Sequence, residues 1–120
     1  MNDRVWLLTA AGLGFAAVTA GAFGSHGLEA AGDGHGARLV EVGARYQLVH
    51  ALAIIAVLAL RRPATAALWL WAAGAVLFPF SLYALALGAP RIVGLATPIG
   101  GTALLLGWAA LAWSAFRAPA

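Results

Sequence analysis

Gly21-Ala22-Phe23-Gly24-Ser25-His26-Gly27-Leu28 ends one long apolar run, and Arg45-Tyr46-Gln47-Leu48-Val49-His50-Ala51 opens another. The first run begins at Val5 and carries no charge; the second continues without charge to Leu60. A chain that leaves a membrane through the first stretch and re-enters through the second places His26 and His50 near the same membrane face. Working outward, residues 63–90 and 92–116 are also free of charged side chains. A spanning helix needs about 20 such residues.

The reading is therefore an all-α, integral membrane four-helix bundle, antiparallel and up-down-up-down. It forms one domain over residues 1–120, with spans at about 5–25, 37–60, 64–88 and 97–116. Composition agrees: 63% of residues are hydrophobic and 9% charged, against about 25% charged in soluble domains.

The net charge of +3 comes from seven arginines, no lysine and four acids. These arginines stand singly or as one pair at span ends, which reads as membrane anchoring and not as the basic face that nucleic acid requires. Arg4, Arg61, Arg62 and Arg117 fall on the side of the termini, and Arg38, Arg45 and Arg91 on the other. The richer side is expected to be cytoplasmic. With no cysteine in the chain, disulfides, thiol catalysis and Cys-ligated metals are excluded.

Gly12, Ala16, Ala20 and Gly24 recur every four residues in the first span, a small-residue stripe expected to pack against a neighbouring helix. The glycines of residues 27–36 predict a loop. The second helix is expected from Ala37, its first two turns outside the bilayer, with a seam of Leu39, Gly43, Tyr46, His50, Ala53 and Val57 that turns Tyr46 and His50 into the bundle. Arg61-Arg62-Pro63 makes a short turn. Pro79 should kink the third span, and Thr97-Pro98 suits an N-cap and first position for the fourth. Trp6, Trp69, Trp71 and Trp113 are placed as headgroup anchors.

Polar side chains gather on the side of the longer loops: His26, Tyr46, Gln47, His50, Ser81, Tyr83 and Thr97. Polar groups within a membrane are costly unless paired and often mark function. Two readings stand: a hydrogen-bonded clamp that fixes the bundle, and a ligand site.

The stretches Gly21–Leu28 and Arg45–Ala51, with Ser81-Leu82-Tyr83, Thr97-Pro98-Ile99-Gly100-Gly101 and Gly107-Trp108, resemble the family known as domain of unknown function 423, which includes the transmembrane protein 256 type. The resemblance covers nearly the whole chain and implies a small bacterial inner-membrane protein of four helices, without an established activity. The chain departs from the family pattern at Ser25, where alanine is more frequent, and at Pro79-Phe80, where Ser-Gly is.

The first functional expectation is a structural, accessory or assembly component of a membrane complex, partnered by the lipid bilayer and by another membrane protein or a second copy of itself. The alternative is a carrier or binding protein for a lipid- or quinone-type molecule, using His26, Tyr46, His50 and Tyr83. No Asp or Glu lies within a span, which argues against proton-coupled cation export, and no nucleophile, base and orienter fall at recognisable spacing. No cofactor is expected; His26 and His50 would be the ligands if haem were bound, whereas zinc usually takes at least three protein ligands.

Overall fold

The computed structural model describes residues 1–119, and every regular element among them is helical. Asn2 starts the chain's first helix by accepting the Val5 N–H on its side-chain oxygen at 3.0 Å. Helix α1 (Asp3–Thr19) passes through a π-helical turn (Ala20–Ser25) into α2 (His26–Ala30), so the first span is one helix of 28 residues. It does not stop near Ser25 as the glycines suggested. The break comes later, at Gly32, whose φ of 84° lies in the left-handed region that glycine tolerates.

Asp33 then caps α3 (Gly34–Ala59), its carboxylate accepting the Gly36 N–H at 2.8 Å. That cap lets the helix begin three residues before Ala37, through glycines that composition assigned to a loop. Helix α4 (Thr65–Ala86) and α5 (Ala96–Arg117) complete the set, with a 3-10 turn (Arg91–Leu95) leading into α5. This turn shifts the start of α5 ahead of Thr97, whose side chain makes no cap. The four membrane-crossing helices measure 28, 26, 22 and 27 residues, each above the spanning minimum of about 20.

The turn between α3 and α4 has a definite geometry. The N–H of Arg62 bonds the Val57 carbonyl at 3.2 Å and that of Arg61 the Leu58 carbonyl at 3.1 Å, the paired closure that ends many helices on a left-handed residue. Arg61 occupies the position usually held by glycine, with φ of 53°. A non-glycine residue there costs roughly 1–2 kcal/mol.

Successive spans run antiparallel. Helices α3 and α4 form the central pair, α1 lies mainly on α3, and α5 packs on α4. Glycines set the close approaches. A Cβ on Gly43 would lie 2.8 Å from the Tyr83 ring and 3.2 Å from Pro79 Cα; one on Gly74 would lie 2.7 Å from Leu104. On α5, a Cβ at Gly100 would collide with the Phe78 backbone and one at Gly107 with the Trp71 indole. Where lipid is as apolar as the side chains, such backbone proximity and the dispersion it brings hold helices together.

The stripe expected on α1 is corrected. Gly12 is exposed and a Cβ there would meet nothing within 4 Å; Ala16 and Ala20 are half-buried, and at the far end of the stripe the Cβ position of Gly24 lies 3.4 Å from Val40 of α3. The inward face runs instead through Trp6, Ala10, Leu13 and Ala17, about 100° around the helix. Trp6 and Leu13 offer more contact surface than alanines do, and the core forms on their side together with Ile54, Leu68, Trp71 and Leu104. Trp71 is thus fully buried and Trp6 nearly so, its ring edge-on to Trp69 at 5.1 Å. Both were expected at the headgroups. Trp113 remains at the surface, with the Arg117 guanidinium 5.9 Å from its ring.

Candidate functional site

Four polar side chains are buried among the described residues: Ser25, Gln47, His50 and Ser81. Each is held by a hydrogen bond. The Ser25 hydroxyl donates to the Ala37 carbonyl at 3.2 Å, tying the end of the first span to the start of α3. The Tyr83 hydroxyl donates to Gln47 Oε1 at 2.7 Å, joining α4 to α3. Ser81 donates to the Phe78 carbonyl at 2.8 Å and lies 2.6 Å from the Thr97 hydroxyl. With the Ser81 proton so used, Thr97 is the donor between the two hydroxyls, and α4 is bonded to α5. Ser81 does not serve the carbonyl freed by Pro79, which lies one turn earlier at residue 75.

His50 is the central member. The Trp108 indole N–H donates to His50 Nε2 at 3.0 Å, and Nδ1 lies 2.6 Å from the Tyr46 carbonyl. An indole nitrogen only donates. Nε2 must therefore be the bare acceptor, and the proton sits on Nδ1, bonded to the carbonyl one turn back. The neutral ring satisfies both neighbours in this tautomer alone. Around it, Trp108 and Trp71 pack at 4.7 Å between ring centres, with His50 5.9 and 6.3 Å from them.

The expected constellation is thus brought together only in part. Gln47, His50, Ser81, Tyr83 and Thr97 take part in interior bonds. Tyr46 does not: it is 47% exposed, its ring stacked on His50 and edge-on to Phe78 at 5.0 Å. One residue along the helix, about 100° around it, Gln47 takes the interior place. His26 is exposed at the far end. Since Ser25 is bonded to Ala37, and His50 lies 13 residues beyond Ala37 on α3, the two imidazoles are separated by about 20 Å along the helix axis. They cannot ligate one iron or metal ion.

Trp108 is the partner that sequence reasoning missed. It appeared only as part of a family motif, and nothing local links it to a histidine 58 positions away. Gly107 beside it offered the available signal, since seven residues separate it from Gly100 and both lie against α4.

Between α3 and α5 a groove opens toward lipid, about 350 Å³ in volume and walled by Tyr46, His50, Phe78, Leu104, Leu105 and Trp108. Among the described residues, two buried side-chain polar atoms remain without a partner, Gln47 Nε2 and Trp71 Nε1.

Comparison with known proteins adds the family. Residues 20–101 match the family described as Protein of unknown function (DUF423). The UPF0382 membrane protein of Haemophilus influenzae is 41% identical, with 87% of each chain covered. The UPF0382 inner membrane protein YgdD of Escherichia coli is 37% identical over 98% of this chain and 93% of its own, and YwdK of Bacillus subtilis, another UPF0382 membrane protein, is 36% identical over 88% and 90%. No solved structure matches. Four apolar spanning helices, an all-helical architecture and these likenesses agree, and the chain belongs to the DUF423 family as a multi-pass protein of the inner membrane.

Proposed function

We propose that this protein is a non-enzymatic accessory component of an inner-membrane assembly, a compact scaffold whose polar interior serves its own fold. The observation that carries this reading is the use of the buried polar side chains: all four among the described residues are bonded within the chain. Each of the four makes a contact that crosses between spans, which hydrophobicity alone would not hold together in lipid. The outward faces of α1 and α5 are apolar, with Phe15 76% and Leu105 70% exposed. A membrane-protein partner, or a second copy, would lie there.

The termini are assigned to the cytoplasm. Asp3 lines the same cleft as Arg61 and Arg62, and Arg117 lies beside Pro63 and Thr65, so the end rich in arginine carries both termini and the short turn.

Photo-crosslinking in native membranes tests the scaffold role. With a photoreactive residue at Phe15 or Leu105, a protein adduct of reproducible mass is expected. Lipid adducts alone at both positions would contradict it.

A second reading is favoured by the 350 Å³ groove: a ring-bearing membrane molecule seated against Tyr46, Phe78 and Trp108. It differs from the expected ligand site because neither His26 nor Tyr83 reaches this groove. Quenching of Trp108 fluorescence by a quinone, lost on Tyr46→Ala, is its expected signature; equal quenching in both proteins would dispose of it.

A further inference from the structure

The end of the molecule that carries both termini holds two adjoining hollows of opposite character. One is a cleft of about 600 Å³ whose walls include Arg61, Arg62, Thr65 and Asp3. The other is a groove of about 340 Å³ between the first and second spans, with Arg4 at its mouth and Leu7, Ile55 and Leu58 along it. They share Asp3, Leu58 and Ala59 as wall residues, so a charged recess lies directly beside an apolar groove.

Three arginines and one carboxylate line this joint site. Among the described residues the one ion pair is Arg45 with Glu41, so Arg4, Arg61 and Arg62 are not neutralised by Asp3. Membrane anchoring accounts for arginine at this depth but not for its exact place. Arg61 stands at the left-handed position of the turn, where it bears a conformational cost that glycine avoids. An anchor one residue to either side would serve topology equally well. Residues held in costly backbone conformations cluster at binding sites.

We propose that this site binds an anionic phospholipid: the phosphate is held between the guanidinium groups of Arg61 and Arg62, and an acyl chain lies in the groove of Leu7, Ile55 and Leu58. Guanidinium forks match phosphate oxygens, and the apolar groove selects a phosphate carrying a hydrocarbon chain over a free one. This site is independent of the scaffold reading and of the groove at Trp108.

Native mass spectrometry of the purified full chain, given equal amounts of phosphatidylglycerol and phosphatidylcholine, tests it. Two arginines near the membrane surface predict a preference for phosphatidylglycerol of about 30-fold. Arg61→Gly should lower that preference about fivefold while its thermal midpoint stays level or rises, because glycine suits the turn; Arg62→Gln should lower it similarly. Arg38→Gln with Arg91→Gln, at the opposite end, should leave it unchanged. Equal retention of the two lipids, or the same loss in the opposite-end variant, would overturn the proposal. So would displacement of phosphatidylglycerol by an equal concentration of glycerol phosphate, which would assign the site to the phosphate alone.

Discussion

Gln47 is wholly buried, yet only the oxygen of its amide has a partner, the Tyr83 hydroxyl at 2.7 Å. A half-satisfied amide in a low-dielectric interior is expensive to disturb from one side. Gln47→Leu leaves the tyrosine hydroxyl unbonded and should destabilise the fold by about 1–2 kcal/mol. Adding Tyr83→Phe removes the stranded hydroxyl as well, so the double variant should recover at least half of that loss. Unfolding in mixed micelles measures the cycle, and simply additive losses would show that the bond contributes nothing. At this scale the sequence was only partly legible. His50 announces itself as a polar residue on an apolar helix, but the choice between Tyr46 and Gln47 depends on which neighbours cover each side of α3. That helix is flanked by α1 on one side and α4 on another, so a single periodic seam could not describe it.

Helices in lipid are matched by shape, and the glycines show how closely. Gly100→Ala would drive a methyl group into the Phe78 backbone, which has no rotamer through which to yield; overpacking of this kind costs about 1–3 kcal/mol. Gly12→Ala faces open space and should be neutral or slightly stabilising, since alanine is the better helix former by up to about 1 kcal/mol. Thermal unfolding of both variants in the same detergent separates the two faces. A larger loss at Gly12 would restore the stripe read from spacing. That stripe misled because four-residue intervals of Gly and Ala identify a surface able to approach another helix, without saying whether a bulkier neighbouring face packs better. The start of α3 was misplaced for a related reason: glycines argue for a loop until the Asp33 cap is recognised. The turn at Arg61-Arg62-Pro63 was legible from local chemistry alone.

For the molecule as a whole, hydropathy defined four spans and their alternation, because charge-free runs near the membrane thickness leave little choice. Depth was less legible. The first span runs five residues past Ser25, carrying His26 outward, while His50 sits far down α3 beside Trp71 and Trp108. Orientation can be checked with C-terminal reporters: a green fluorescent protein fusion should fluoresce and an alkaline phosphatase fusion should be inactive, and the reverse pair would place the arginine-rich end outside. The organisation of the entire bundle is tested most directly by nitrogen-15 NMR of the three imidazoles in lipid bilayers. His50 should appear as a single neutral species protonated on Nδ1, shielded from water and correlated with the Trp108 indole proton, while His26 and His35, both exposed, exchange with bulk water. Three water-accessible histidines, or a His50 protonated on Nε2, would contradict the self-bonded interior on which the scaffold reading rests.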